Sequence, residues 1–199
     1  MNRFNTMALI HLVLLALALA GCAPKSHTPP AVKQNKQKLS ATVNKSYDIT
    51  WETLFRYAGS SFFTIERFDK SSGLMILSFG SSNAHEYIDC GNINDRSVER
   101  KYAGPYTSYL EQFAGAKLQG SMSIAVTEIS PKKTSIRVNG KYKFATKLTR
   151  PTLLTFDSGS SATISVLKED TKTGDLDTQT CHSTYKAENK IMQVIASLK

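Results

Sequence analysis

No stretch of this chain supplies the roughly 20 consecutive apolar residues that a membrane-spanning helix needs. The longest apolar run, residues 7–20, is broken only by His11 and stops at about fourteen residues. Catalytic signatures are missing too. There is no G-x-S-x-G, no H-E-x-x-H and no glycine-rich phosphate loop, so three common routes to an enzyme find no support. Cysteine is scarce, three in 199 residues. His85, Cys90, Cys181 and His182 match no usual zinc spacing, and the adjacent Cys181-His182 pair is badly placed to point both ligands at one ion. Neither Asp89 nor any other acid has a partner that the sequence can place. The expectation is a non-enzymatic protein without catalytic residues, bound metal or cofactor. Acidic residues are absent from residues 23–46, and apolar ones are few there, so that segment has little with which to build a core.

What is present begins at the amino terminus. Residues 1–6 are polar with one charge, Arg3, and the apolar run that follows has the length of a secretory signal. It closes with Leu19-Ala20-Gly21-Cys22. This motif resembles the lipobox of bacterial lipoproteins. The resemblance implies cleavage after Gly21 and a diacylglycerol thioether on Cys22, with acylation of the new amino terminus. The covalent lipid is then the only non-protein group expected. Several acyl chains make a stable anchor where one does not. Ala23 rather than Asp after the cysteine implies, by the same resemblance, an outer-membrane protein facing the periplasm. Residues 1–21 are thus read as signal peptide, 22–46 as lipidated cysteine and flexible tether, and 47–199 as a single domain of ordinary size.

Charge divides along the same boundary. Residues 23–46 carry Lys25, Lys33, Lys36, Lys38 and Lys45, whereas the domain holds 19 basic residues against 16 acidic ones. Five lysines beside a bilayer either rest on anionic headgroups, at roughly 1 kcal/mol each, or only keep a linker solvated. With so little apolar surface, deletion of residues 28–44 is expected to leave folding intact. The compartment argues against a nucleic-acid partner.

Within the domain, residues 45–49 read as a short strand. Thr50 is a candidate N-cap for a helix with the apolar stripe Trp51, Leu54, Phe55 and Ala58, ending near Gly59. Residues 62–68 and 74–79 flank the turn cluster Asp69-Lys70-Ser71-Ser72-Gly73 and read as a hairpin. A short strand is expected at residues 87–90. Residues 92–117 read as a long polar connection, within which Tyr106, Tyr109, Leu110 and Phe113 are a candidate short helical stripe. Its Tyr102, Tyr106 and Tyr109, beside Arg100 and Lys101, are either a recognition surface or buried tyrosines under a covering loop. Residues 121–129 alternate cleanly, and Ile136, Val138, Tyr142 and Phe144 continue one face beyond Pro131-Lys132-Lys133. Gly140 leaves a gap in that face for a close approach by another backbone. Arg137, Asn139, Lys141 and Lys143 lie on the other face, as an anion-binding row or a solvated sheet surface. A second loop over residues 145–161, a strand at 162–167 and an exposed turn at 168–179 follow. The last helix is expected to start at Thr184, with the stripe Ala187, Ile191, Ile195 and Leu198.

With Cys22 lipidated, Cys90 and Cys181 read as a disulfide in an oxidising compartment. The element order gives an α+β fold, an antiparallel sheet with an N-terminal and a C-terminal helix on one face. Tyr47-Asp48-Ile49-Thr50-Trp51, the helix stop near Gly59, Phe63-Thr64-Ile65 and Asp69 to Gly73-Leu74-Met75-Ile76 resemble helix-grip domains of envelope lipoproteins such as BamC, an accessory of β-barrel assembly. That resemblance covers about thirty residues of pattern. It implies a binding, assembly or secretion accessory whose partner is another envelope protein. The alternative is a small inhibitor or ligand-binding module such as a lysozyme inhibitor, although a basic protein is poorly matched to basic lysozyme.

Overall fold

The computed structural model describes residues 25–30, 37–97, 100–147, 152–167 and 176–198. Cys22 and the expected signal peptide lie outside them. In chain order the strands are β1 (Ser26–Thr28), β2 (Ser40–Val43), β3 (Thr64–Asp69), β4 (Leu74–Ser81), β5 (Ile88–Asp89), β6 (Asn92–Asp95), β7 (Tyr102–Pro105), β8 (Lys117–Ser130), β9 (Lys133–Ala145), β10 (Leu153–Asp157), β11 (Ser161–Leu167) and β12 (Leu176–Ser183). The helices are α1 (Tyr47–Ser60), α2 (Tyr106–Ala114) and α3 (Lys186–Ser197), with a 3-10 turn at Ala84–Glu86.

The alternation of β8 and β9 builds the centre. Their register sets Val126 beside Ile136, Ile124 beside Val138 and Leu118 beside Phe144. Every one of these side chains is at most 3% exposed. β4 adds Met75 and Leu77 opposite Ile124 and Met122. The sheet runs β10-β9-β8-β4-β3, with β2 also on β9. β2 takes residues 134–137 of β9 and β10 takes residues 141–145, so the two share one edge. α1 and α3 touch this sheet and each other. The fold is α+β, and the strand pairings among the described residues are antiparallel.

Two glycines in the buried face are filled from across the core. A Cβ on Gly120 would lie 2.1 Å from Phe79 Cζ, so the phenyl ring lies directly over that backbone. The gap at Gly140, expected to admit another backbone, is filled by side chains instead: the Ser158 hydroxyl oxygen would lie 2.7 Å from a Cβ there. The remaining space is taken by the Glu188 carboxylate, whose Oε1 would be 2.2 Å from a Cβ at Gly140.

Several local expectations need correction. Residues 45–49 are not a strand. Ser46 is the N-cap, accepting from Ile49 N–H at 3.4 Å, and Asp48 is in the first turn of α1. Thr50 is already helical, and its hydroxyl donates to the Ser46 carbonyl at 2.9 Å. Thr184 does not cap α3. Tyr185 holds the cap position with φ 60°, and the Thr184 hydroxyl donates instead to the Glu86 carbonyl at 2.6 Å. Cys181 is inside β12, a strand that also takes residues 176–179 of the expected exposed turn.

The tether expected over residues 22–46 is also interrupted by structure. Residues 26–28 pair with β6, and residues 40–43 pair with β9. A strand of three or four residues in a polar segment has too few side chains to declare a period. Its pairing is supplied by distant strands. Val43 ends β2 at 1% exposure, within the main core.

Candidate functional site

The polar connection expected over residues 92–117 is largely ordered secondary structure. β6 and β7 form a hairpin, β1 joins β6 on its other edge, and α2 follows directly. Helix spacing turns Tyr106, Tyr109 and Leu110 inward, and these three are 2%, 7% and 1% exposed. Tyr106 and Tyr109 are therefore core residues and do not present themselves to a partner. Their rings stack at 6.1 Å, and Tyr109 meets Phe113 at 4.9 Å. Tyr102 is half-buried, with its ring 5.6 Å from Tyr109 and its hydroxyl donating to the Pro105 carbonyl at 3.1 Å. Aromatic residues near arginine suit an interface, but they equally suit a helix that must cover a small sheet.

This region is organised on an acid that sequence reasoning passed over. Asp95 is 1% exposed. It accepts from Tyr109 O–H at 2.9 Å and from the Ser97 backbone N–H at 3.0 Å, and Lys25 Nζ lies 3.6 Å away. Burial pushes the carboxyl pKa up, but Ser97, Tyr109 and Lys25 outweigh it and hold the group below its ordinary range. Nothing in the sequence marked Asp95 among its polar neighbours, since its partners come from β1 and α2.

Cys90 and Cys181 form a disulfide, with sulfurs 2.05 Å apart and a sequence separation of 91. The bond ties the residue after β5 to β12. Beside it, Lys186 pairs with Glu86 and lies 5.4 Å above the Tyr87 ring. Lys186 is the main reason the Glu86 carboxyl is held below its usual pKa. His85, the other member of the rejected zinc set with His182, places Nδ1 3.1 Å from the Ser108 hydroxyl.

A second buried acid ties α3 to the sheet. Glu188 is fully buried and accepts from the Tyr142 hydroxyl at 2.6 Å and from the Ser158 hydroxyl. Burial first, then the neighbouring Glu188 charge, pushes the Tyr142 hydroxyl far above its ordinary pKa, so it remains a donor.

The outward face of the central sheet carries Arg137, Asn139, Lys141 and Lys143 on β9, all exposed. Their register neighbours on β8 are Ala125, Ser123, Ser121 and Gln119. Lys141 is 3.8 Å from Asp157 of β10, an exposed pair worth little in stability. Short side chains beside long basic ones give an exposed, positively charged strip. Among the described residues no group of three or more His, Cys, Asp or Glu is arranged to hold a metal ion. No helix among them is long and apolar enough to cross a membrane.

Comparison of the chain with protein-family models, with curated proteins and with solved structures finds no match.

Proposed function

We propose that this protein is a lipid-anchored component of a bacterial outer membrane, facing the periplasm and held through Cys22. It acts there as a non-enzymatic binding accessory whose partner is another envelope protein. In this reading the arrangement of α1 and α3 on one sheet face is the helix-grip arrangement of BamC-like domains. The observation that carries the binding role is the exposed strip of Arg137, Lys141 and Lys143 beside Ser121 and Ser123. A positively charged face suits a partner with an acidic surface and favours fast encounter. The disulfide accords with an oxidising compartment.

The test has two parts. Cys22→Ser should release the protein from membranes and abolish incorporation of labelled acyl chains. Continued membrane association with a lipid-bearing mobility overturns the anchor. A photocrosslinking residue at Asn139, introduced into the acylated chain in cells, should give one discrete adduct that disappears in Arg137→Glu/Lys143→Glu. Crosslinking that is diffuse, or unchanged by charge reversal, overturns the contact surface.

A further inference from the structure

The lipid attachment point expected at Cys22 and the first strand of the fold are only four residues apart in sequence. β1 is not loose. Ser26, His27 and Thr28 pair with Asn94, Ile93 and Asn92, and the His27 ring meets the buried Tyr106 edge-on at 5.3 Å. The chain leaving β1 is pressed onto Gly91, where a Cβ would lie 2.1 Å from the Thr28 carbonyl oxygen. That glycine has φ 79°, a conformation L side chains avoid, so the backbone at this crossing is suited to glycine alone. The ion pair of Lys25 with Asp95 fixes the strand at its entry.

A fully extended chain advances at most about 3.3–3.6 Å per residue, so four residues reach about 14 Å. The domain is therefore leashed tightly by β1 and does not float on a tether running to residue 46. The β6–β7 hairpin is beside the entry to β1, because Ser26 pairs with Asn94 and Lys25 meets Asp95. Between β6 and β7 the chain carries Arg96, Arg100 and Lys101, with Arg96 and Lys101 exposed. Arg100 donates to the Tyr109 hydroxyl, which holds its base to the fold. Of the described acids nearby, Asp95 is buried and already partnered; Glu99 lies outside the described residues.

We propose that Arg96 and Lys101, just beyond the end of β6 and just before β7, form a membrane-contact surface: with Lys25 beside them, they rest on the anionic headgroups of the bilayer that holds Cys22. The proposal rests on the lipid-anchor reading and adds the orientation of the domain. A leash of at most about 14 Å lets these residues reach the layer, roughly 8–10 Å deep, in which the surface potential acts. Each basic residue near an anionic surface contributes about 1 kcal/mol, a factor of about five in the ratio of docked to undocked states.

The experiment uses the full acylated protein in vesicles containing phosphatidylglycerol, with a fluorescent residue at Ser97 and quenching spin labels on lipid headgroups. A second labelled protein carries the fluorophore at Lys132, in the turn at the end of β8 remote from α2. Quenching is expected to be strong at Ser97 and weak at Lys132. It should fall for Arg96→Gln/Lys101→Gln, and in pure phosphatidylcholine vesicles. The thermal melt of each variant is followed, so lost quenching is scored only for folded protein. Protein that floats with the vesicles but shows equal quenching at both positions, or no dependence on charge, overturns the orientation and leaves the anchor standing. Protein that does not float and carries no lipid overturns the anchor and the orientation together.

Discussion

The β8–β9 hairpin and the segment from Ala84 to Ala116 are assembled in different ways. The hairpin is two strands of 14 and 13 residues joined by a tight turn, and its partners are close in sequence. Its buried face is apolar from Leu118 to Val126 and from Ile136 to Phe144, interrupted only by the two glycines that Phe79 and Glu188 overlie. The other segment is built from strands of two to four residues, a 3-10 turn and a nine-residue helix. It is held by groups that reach it from far along the chain: Lys25 on Asp95, Thr184 on Glu86 and Cys181 on Cys90. The first region is stabilised by repetition. The second depends on a few specific ties, so single substitutions should act very differently on the two.

The largest expected effect follows from that difference. Cys90→Ala with Cys181→Ala opens a loop of 91 residues, for which the chain-entropy model gives about 4–5 kcal/mol. Either single mutant should match the double mutant in a denaturant melt, since each breaks the same bond. In hydrogen exchange the added opening should concentrate in residues 84–116 and β12, leaving β8 and β9 protected. Uniform loss of protection would show that the two regions are one cooperative unit. Two free thiols in protein taken from an oxidising compartment would remove the tie altogether.

Next in size is deletion of residues 28–44, where the structure reverses what composition implied. Polar content and lysines made this stretch a linker on the page. Yet β2 pairs with β9 over four residues, Leu39 accepts from Val138 N–H at 2.8 Å, and Val43 is buried in the core. Burial of that valine alone amounts to about 1.5–3 kcal/mol, so the deletion should cost about 3 kcal/mol or more in a chemical melt. An unchanged midpoint would restore the tether.

These two cases also mark what the sequence could and could not disclose. Alternation over residues 121–129 and 136–144, the β3–β4 hairpin and the apolar stripe of α3 were legible because each pattern is long and local. The Asp69 turn was legible because its own side chain accepts from Ser71 and Ser72. β1, β2, β6 and β7 were not, because strands of three or four residues have almost no period to read. Polarity likewise left Tyr106 and Tyr109 open to two readings, a recognition surface or buried rings, and the helix they start rotates both into the core. The charged face of β9 was legible as a face, since alternation alone separates Arg137, Lys141 and Lys143 from Val138 and Tyr142. Asp95 and Glu188 were illegible as sites. A buried carboxylate is recognised by its partners, and here those arrive from other elements.

Two hydrogen-bonded acids offer the next test, one in each region. Tyr109→Phe removes a donor to a buried carboxylate, which should cost about 1.5–3 kcal/mol at neutral pH. Because the folded-state pKa of Asp95 is depressed, its contribution is present above the ordinary carboxylate pKa and is lost as pH falls through the lower folded value. The difference between Tyr109→Phe and the parent should therefore shrink on acidification. A difference independent of pH would mean the ring's packing, not its hydroxyl, matters. In the hairpin region, Gly140→Ala sets a methyl against Glu188 and Ser158 and should cost about 1–3 kcal/mol through overpacking.

The smallest expected effect on stability is on the wet face of the central sheet. Arg137 and Lys143 are exposed, and their neighbours on β8 are the small or polar Ala125 and Gln119. Replacing both with alanine removes no buried contact and breaks no ion pair of known geometry, so the melting midpoint should move by less than about 0.5 kcal/mol. Removing two charges from an exposed strip should nevertheless slow association with an acidic partner, and the effect should weaken as salt rises. The crosslinked adduct at Asn139 reports that loss directly. Stability and binding are thereby separated on one strand, whose inward residues hold the core together while its outward residues contribute almost nothing to it. A double alanine variant that melts early would show that the basic row supports the sheet edge beside β2 and β10. One that melts normally and keeps its adduct would move the contact surface elsewhere on the domain.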